Sequence, residues 1–481
     1  MDRKRRRNPM TKSSLRRFKM PNSLVVLFIL LVVIAGLTYI IPAGEFATMT
    51  LPSGQEVANP EQFNYVPSNP TSFTDFWNAI PKGFTKSASV IAFTLIIAGT
   101  VEVLKKTGLI DGIVTNLSAR FSDNGVLVIP ILMFFFALIA AFIGTAELSL
   151  VYLPIIMPLI LSLGFDKLTA AGVVLISTTC VGFSSGFTNP FTVGISHQIA
   201  GLPMFSGMGY RVLVFIVFYI ISSLYLMRYA KKIQRDPEIV LKEAYQEGLL
   251  ESEEQKIGQN SQAVRLTGRQ KLIGIVLILL FAYMIYNVLV NGWGMIEMAG
   301  LFVMIAVFSA LIDRMPTNDL IQAFMEGCSS VLSGAILIAV ANGVSVLMNE
   351  AKILDTVVHQ FGNLLQGLPV YLSALAIFLF ITLFNFFVTS GSGKAIVAMP
   401  IISPLARMVG LNQQVAVLAY TLGDGLTNVF YPTSGYFMAT IANAKIEWGD
   451  WAKFFLPLLG ILFLASMALI SIAQMIGYGP F

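Results

Sequence analysis

Gly393 and Lys394 lie in the small, flexible stretch VTSGSGKAIVAMP, between two strongly apolar runs. A Gly–Lys pair in such a stretch is typical of phosphate-binding loops. A nucleotide loop, however, also needs a glycine five residues before this pair and a serine or threonine after it. Val388 and Ala395 occupy those positions. The stretch is therefore not a nucleotide site, and its glycines interrupt a segment that is apolar enough for a membrane.

Three ionisable residues lie at polar interruptions of this kind. Glu147 is in GTAELS, Lys394 is in TSGSGKA, and Asp424 is in GDGLTNVFYPTSG. A charge at membrane depth costs a few kcal/mol on insertion scales and usually marks a solute or proton path. The alternative is a structural salt bridge, for example between Lys394 and Asp424.

The composition predicts a polytopic membrane protein. Of the 481 residues, 56% are hydrophobic and 12% are charged, against about 25% charged in soluble domains. Two cysteines and two histidines cannot supply a disulfide framework or a metal-enzyme site. A membrane enzyme would need a nucleophile, a base and an orienting group, and Ser392 beside Lys394 is the only candidate dyad. We therefore expect no enzyme and no cofactor beyond a coupling Na⁺ or H⁺.

The first twenty residues are strongly basic and directly precede an apolar run at about 22–41. Such a cluster fixes orientation and contacts anionic lipid, whereas a nucleic-acid tail is the less favoured interpretation. The run is long for a signal peptide and no A-x-A site follows it. We expect an uncleaved first span, a cytoplasmic N-terminus (residues 1–20) and a place in the inner (cytoplasmic) membrane.

Further spans are expected at about 88–104, 209–228, 272–290, 295–312 and 331–347, with a polar outside loop at 42–81. The apolar runs between residues 106 and 209 could make three full crossings, and the segment after the polar break a fourth. The basic end of span 209–228 would then lie outside, against the positive-inside rule. A re-entrant hairpin at 125–163, turning at GTAELS, removes the conflict. Non-helical backbone at that depth is tolerated where it lines a cavity.

The second half repeats the first. PIIMPLI at 154–160 matches PIISPLA at 400–406, and four such pairs have offsets between 239 and 246. An odd number of crossings separates the copies, which predicts inverted repeats, a transporter architecture. The expected fold is all-α and polytopic, with a re-entrant hairpin and a broken transmembrane helix in each repeat. The expected segments are repeat 1 (21–230; hairpin 125–163, broken helix 169–205), a cytoplasmic linker (231–270), a connecting span (271–292) and repeat 2 (293–481; hairpin 372–409, broken helix 413–440).

Broken helices expose helix N-termini beside unwound carbonyl groups, which suit carboxylates and cations respectively. Glycine and proline kinks made for packing alone are the alternative. The candidate substrate ligands are Thr145, Glu147, Asn189, Thr192, Ser390, Gly391, Ser392, Gly393, Lys394, Asp424, Asn428, Thr433 and Ser434. The candidate coupling-ion ligands are Gly144, Thr145, Thr188, Asn189, Ser390, Asp424, Thr427 and Asn428.

Several blocks resemble the YfcC branch of the DcuC-type carriers, in the ion transporter superfamily. They include VLKKTGLIDGIV, NPFTVGISHQIAGLPMFSGMGYR and GDGLTNVFYPTSG. The resemblance covers almost the whole chain after residue 20. It implies two opposed hairpins, a homodimer and elevator-like motion, with substrates that range across the family from C4-dicarboxylates to basic amino acids. The divalent anion/sodium symporters that share this fold carry Ser-Asn-Thr tips, and residues 144–147 and 389–393 depart from that pattern.

The sequence thus predicts a secondary active transporter for a small carboxylate-bearing metabolite. Amino acids are the favoured substrates, and they include a basic amino acid moved by antiport. Coupling to Na⁺, to H⁺ or to exchange stays open. A C4-dicarboxylate carrier is the alternative within this class; a channel and a membrane-embedded enzyme are the alternatives outside it. The expected partners are the substrate, the lipid bilayer and a second copy of the chain, with no nucleic acid.

Overall fold

The computed structural model describes residues 23–50, 56–110, 112–113, 116, 122–249, 265–291, 293–365 and 367–479. The basic segment 1–20 and residues 250–264 of the predicted linker lie outside the described residues. The chain folds mainly into helices, as the sequence predicts for a membrane protein.

The helices of the first half are α1 Ser23–Leu37, α2 Phe73–Lys86, α3 Ala88–Lys106, α4 Val128–Ile143, α5 Ser149–Ser162, α6 Lys167–Leu175, α7 Ile195–Ala200, α8 Met208–Ile233 and α9 Pro237–Gln246. Those of the second half are α10 Gly268–Asn291, α11 Met295–Asp313, α12 Thr317–Ser330, α13 Leu332–Glu350, α14 Leu354–Leu365, α15 Val370–Phe384, α16 Gly391–Met408, α17 Gln413–Thr427, α18 Gly435–Asn443 and α19 Trp448–Met475. A π-helical segment, Ile176–Phe183, continues α6.

Five described helices are long and apolar enough to cross a bilayer: Ala88–Lys106, Asn124–Ile143, Met208–Ile233, Met295–Asp313 and Trp448–Met475. Thr317–Ser330 and Gly334–Glu350, bent by 45°, together form a sixth candidate. A bilayer core of about 30 Å needs about 20 helical residues. The remaining apolar helices around the two central turns are shorter than this.

The expectation of an all-α fold is wrong in one place. Strands β1 (Gly44–Thr50) and β2 (Glu56–Tyr65) form an antiparallel hairpin within the segment that we expected to be a plain polar loop. Phe46 and Phe63 pack against each other, and Phe63 stacks on His359 of α14 with ring centroids 3.9 Å apart. The alternating aromatic side chains thus give the hairpin one apolar face, which α14 covers.

The same polar segment contains the amphipathic helix α2, which the sequence analysis missed. Ser72 and Asp75 form a capping box at its start: the Ser72 hydroxyl accepts from the Asp75 N–H at 3.1 Å, and the Asp75 carboxylate accepts from the Ser72 N–H at 3.3 Å. A reciprocal cap of this kind satisfies two backbone donors at a helix start. Lys82 and Lys86 on α2 lowered its apparent hydrophobicity and hid it from a search for spans.

The predicted linker also holds structure that its sequence did not show. Helix α9 buries Val240 and Ala244, and Lys167 pairs with Glu247 just beyond it at 2.7 Å. A hydrogen bond from Arg235 holds the pKa of the Glu243 carboxyl below its ordinary value. This part of the linker is therefore docked on the first half.

Helices α2 and α13 pack closely along each other, and so do α12 and α3. Gly83 on α2 faces the Ala339 carbonyl of α13, and Gly327 on α12 faces the Ala98 carbonyl of α3. The two glycines are 244 residues apart, within the range of offsets that relates the two halves. Each half thus inserts a glycine-faced helix against the longer helix of the other half.

Two turns and two helix breaks lie between the longer elements. The first tip (residues 144–148) joins α4 to α5, and Gly144 has a left-handed backbone with φ +74°. The second tip (residues 389–393) joins α15 to α16, where the Ser390 hydroxyl caps the helix by accepting from the Gly393 N–H at 3.2 Å. The first break (residues 184–189) follows the π-helical segment, and the second break (residues 428–434) separates α17 from α18.

Replacing Gly83 or Gly327 with alanine should destabilise the protein. The added Cβ would lie 2.2 Å from the Ala339 carbonyl oxygen in one case and 2.3 Å from the Ala98 carbonyl oxygen in the other. Overpacking of this kind costs about 1–3 kcal/mol, so each variant should melt at a lower temperature when purified in detergent. Gly460→Ala is the control, since no heavy atom lies within 4 Å of a Cβ there. Wild-type melting of both variants would contradict the close helix contact.

Candidate functional site

Both tips, the second break and residues on either side of the first break line one cavity of about 470 Å³. The lining residues from these segments form what we call the tip wall: Gly144, Thr145, Ala146, Glu147, Phe183, Phe191, Thr192, Thr389, Ser390, Gly391, Ser392, Asn428, Ser434, Gly435 and Tyr436. The other lining residues form what we call the helix wall: Lys86, Ser87, Ser89, Val90, Gly294, Met295, Ile296, Glu297, Met298, Ile338 and Asn342. Pockets for small molecules usually have volumes of about 300–1,000 Å³, so the cavity suits a metabolite.

The charged residues that line the cavity are one base, Lys86, and two acids, Glu147 and Glu297. Glu147 is half-buried at the first tip, and no basic side chain of the described residues lies within ion-pair distance of it. Glu297 accepts a hydrogen bond from the Gly294 N–H at 2.9 Å and so caps the start of α11. Acidic groups therefore outnumber basic groups around the cavity.

Lys394 and Asp424 form an ion pair beneath the second tip. The Lys394 ammonium lies 2.6 Å from Asp424 Oδ1, and neither side chain has exposed surface. The ammonium also donates to Oδ1 of the Asn385 side chain. The salt bridge that we considered as an alternative is thus present, and in this conformation Lys394 binds protein groups and does not line the cavity.

Asn385 connects this ion pair to the second break. Its amide donates to the Asp424 carbonyl at 3.0 Å, to the Thr427 hydroxyl at 2.9 Å and to Asn428 Oδ1 at 3.1 Å. The sequence analysis missed Asn385, although a lone amide in the apolar run FITLFNFF was a signal for it. Since Asn428 also lines the cavity, the network joins the buried pair to the tip wall.

The first break is organised differently. Asn189 Oδ1 accepts the backbone N–H groups of Phe191 and Thr192, at 2.9 and 3.2 Å. A Cβ on Gly144 would lie 2.2 Å from that same oxygen, so only glycine fits at the first tip. The Thr188 hydroxyl donates to the Phe142 carbonyl at 2.9 Å. Asn189 and Thr188 thus hold the first tip against the first break.

Two glycines allow close contacts around the second tip and the first break. A Cβ on Gly391 would lie 2.6 Å from the Thr192 side chain and 2.9 Å from Asp424 Oδ2, and one on Gly425 would lie 2.0 Å from the Ser184 hydroxyl. The Tyr420 hydroxyl fixes the tip by donating to the Gly391 carbonyl at 2.7 Å. Glycine at 391 thus lets the second tip pack against Thr192 and Asp424, and glycine at 425 lets α17 pack against the first break.

Several buried polar atoms near the cavity have no hydrogen-bond partner among the described residues. They are the hydroxyl oxygens of Thr145, Thr192, Thr433 and Ser434, Nδ2 of Asn189 and Oδ2 of Asp424. Buried polar groups in proteins are nearly always satisfied. Thr145, Thr192 and Ser434 also line the cavity, so a polar solute there would find unused donors and acceptors.

The structure therefore brings most of the predicted site residues together. The cavity-lining ones are Gly144, Thr145, Glu147, Thr192, Ser390, Gly391, Ser392, Asn428 and Ser434, while the others, in the supporting layer, are Thr188, Asn189, Gly393, Lys394, Asp424, Thr427 and Thr433. The helix wall and Tyr436, whose hydroxyl lies 3.2 Å from that of Thr179, were not among the predicted site residues. Lys86 lies between the predicted outside loop (42–81) and the predicted span at 88–104, so neither prediction pointed to it.

Comparison with known proteins identifies the family. The family model of DcuC, described as "C4-dicarboxylate anaerobic carrier", matches residues 20–475. The chain is 31% identical to the "Putative basic amino acid antiporter YfcC" of Escherichia coli, over 96% of this chain and 98% of that protein. It is 25% identical to an "Uncharacterized protein" of Haemophilus influenzae, over 95% of this chain and 97% of that protein.

Two solved transporters align with this chain at low similarity. The YdaH transporter of Alcanivorax borkumensis aligns with a TM-score of 0.42 and 16% identity, over 95% of this chain and 99% of that one. MtrF of Neisseria gonorrhoeae, from a "Class of Antimetabolite Efflux Pumps", aligns with a TM-score of 0.44 and 17% identity, over 95% and 96%. The family match over almost the whole chain, together with the apolar helices, shows that this protein is a membrane transporter and belongs to the DcuC family of carriers.

Proposed function

We propose that the protein is a secondary active transporter that exchanges amino acids, and basic ones above all, through the cavity between the tip wall and the helix wall. The observation that carries this proposal is the charge of the cavity, which is lined by one base, Lys86, and two acids, Glu147 and Glu297. A basic amino acid brings two cationic groups and one carboxylate, the complement of that set. The name of the Escherichia coli relative points to the same substrate class.

A C4-dicarboxylate carrier is the second candidate, because the family description names that substrate. A dicarboxylate would bring two negative charges to a cavity whose lining acids outnumber its lining base. Lys394 does not offset this, since it is paired with Asp424. The charges therefore favour the amino acid, and the family description favours the dicarboxylate.

Repeat symmetry supports alternating access by an elevator-type mechanism. The α4–α5 and α15–α16 pairs, together with the two breaks, have the same order in both halves, and α5 and α16 each contain two prolines four residues apart. We propose that these pairs are re-entrant hairpins in inverted repeats, at 125–163 and 372–409. Opposed hairpins that each stop midway suit a carrier better than an open channel.

Exchange is the mode of coupling that the buried ion pair favours. Carboxylate and amide oxygens are typical ligands of small cations, and those of Asp424 and Asn385 converge on the Lys394 ammonium. A fixed ammonium therefore occupies the place that a Na⁺ would take among these oxygens. The candidate ion ligands of the first half are Gly144, Thr145, Thr188 and Asn189. No ammonium group of the described residues binds them, so coupling to Na⁺ or H⁺ there is the alternative.

We propose that the N-terminus and the linker face the cytoplasm and that the protein is a homodimer in the inner membrane. Basic residues at the ends of two helices, Lys105–Lys106 and Lys231–Lys232, support this orientation, since cytoplasmic ends are enriched in lysine and arginine. The dimer rests on the family resemblance.

Counterflow in proteoliposomes tests the function directly. Vesicles loaded with L-lysine or L-arginine should accumulate labelled L-lysine, and vesicles loaded with succinate should not. Replacing Na⁺ by K⁺ on both sides should leave the rate unchanged, because the Lys394 ammonium supplies the fixed cation. Succinate counterflow without lysine counterflow would favour the dicarboxylate carrier, and a requirement for Na⁺ would refute exchange without an ion.

Glu147→Gln should weaken the binding of L-lysine but should not weaken any binding of succinate. Only the amino acid has an ammonium group that loses its ionic partner, and a charged hydrogen bond contributes about 1.5–3 kcal/mol, or roughly tenfold or more in the dissociation constant. Glu326→Gln is the control, as its carboxylate lies 3.5 Å from Lys106 and does not line the cavity. Unchanged lysine binding in Glu147→Gln would remove this residue from the site.

Cysteines at the two tips test the re-entrant topology. Thr145 and Ser392 are suitable positions because glycine at 144 or 391 leaves no room for a Cβ. In a background without Cys180 and Cys328, Thr145→Cys should react with a polar thiol reagent from the cytoplasmic side and Ser392→Cys from the outer side, each in at least one transport condition. Reaction of both from a single side in every condition would contradict opposed hairpins.

A further inference from the structure

Lys86 is the last residue of α2 and the only basic residue that lines the cavity among the residues described. Its ammonium lies 2.6 Å from the Ser345 hydroxyl of α13. One turn earlier, Lys82 forms an ion pair with Glu350 at 2.5 Å. No carboxylate of the described residues lies within ion-pair distance of Lys86, so its charge stays available to the cavity.

The contact with Ser345 orients this ammonium without neutralising it. A lysine ammonium has three donor hydrogens, and one serine hydroxyl uses one of them. Two donors therefore remain for a carboxylate, and α13, which carries Ser345, also lines the cavity through Ile338 and Asn342. The ammonium is thus held at the edge of the helix wall.

Helix packing does not by itself require a lysine at this position. At the offset of 244 residues, the counterpart of Lys86 is Ser330 at the end of α12. Ser330 donates its hydroxyl to the Gly327 carbonyl, within its own helix. The equivalent helix junction thus closes with a small neutral residue, and the charge at Lys86 is free for another role.

We propose that Lys86, on the helix wall, binds the carboxylate of the transported substrate, while Glu147, on the tip wall, binds its ammonium group. This proposal rests on the proposed function, because it assigns one ligand of the same cavity. Lys394 is the sequence-based candidate for this contact, but Asp424 and Asn385 bind its ammonium. The substrate is then held between the two walls, by its carboxylate on one side and its ammonium on the other.

Equilibrium binding to the purified full-length protein tests the assignment. The variants are Lys86→Gln, the charge-preserving Lys86→Arg and the control Lys82→Gln, which removes a lysine of the same helix outside the cavity. The ligands are L-lysine, succinate and L-lysinamide, which keeps both amines but carries a neutral amide in place of the carboxylate.

Lys86→Gln should bind L-lysine roughly tenfold or more weakly than the wild type, as expected for a lost charged hydrogen bond. L-lysinamide should bind this variant and the wild type alike. Lys86→Arg should retain most of the affinity for L-lysine, and Lys82→Gln all of it. Unchanged L-lysine binding in Lys86→Gln, or an equal loss for both ligands, would overturn the proposal. If L-lysinamide binds neither the wild type nor Lys86→Gln, the arginine variant decides: weak L-lysine binding by Lys86→Arg would then overturn the proposal.

The outcomes also separate this proposal from the proposed function. If the wild type binds succinate but not L-lysine, the amino-acid substrate is wrong, and Lys86→Gln should then weaken succinate by the same factor. Unchanged succinate binding would overturn the role of Lys86. A wild type that binds neither L-lysine nor succinate would refute both proposals.

Discussion

A lysine ammonium and an aspartate carboxylate without exposed surface set the strictest constraint in this protein. Removing either partner of such a pair leaves an uncompensated buried charge, at a cost of about 3–5 kcal/mol. Lys394 and Asp424 therefore have to stay together, and every element that contacts them has to fit that geometry. Helix α16 supplies the lysine and α17 the aspartate, while Asn385 at the end of α15 accepts from the lysine and donates to the backbone carbonyl of Asp424. The packing of α15, α16 and α17 beneath the second tip thus follows from one ion pair.

The constraint also separates two kinds of charge. Lys394 and Asp424 neutralise each other inside the protein, whereas Lys86, Glu147 and Glu297 border the cavity. A count of charges along the sequence mixes the two sets. Only the structure shows that Lys394, next to the glycine-rich second tip, is paired with Asp424 and does not line the cavity, whereas Glu147 in the first tip does.

The sequence predicted the elements whose signal is local. Long apolar runs located α3, α8, α10 and α11, and glycine, serine and proline clusters located both tips and both breaks. The sequence did not predict α2, α12 or the β1–β2 hairpin, because none of these elements has a continuous apolar run. Lys86 was missed for that reason. The pairing of Lys394 with Asp424 was one of two open interpretations, since the choice depends on how α16 approaches α17.

The exchange of glycine-faced helices between the halves has a consequence for biosynthesis. Helix α2 contacts its partner α13 more than 240 residues later in the chain. The backbone at Gly83 lies so close to α13 that not even a Cβ would fit between the two helices. When the ribosome has completed the first half, α2 and the groove of α3 that receives α12 still lack their partners. The first half therefore reaches the membrane as an incomplete unit, and its helices must stay soluble in lipid until the second half is inserted. Late non-local contacts of this kind slow folding, so the contact between α2 and α13 forms only after the second half has been made.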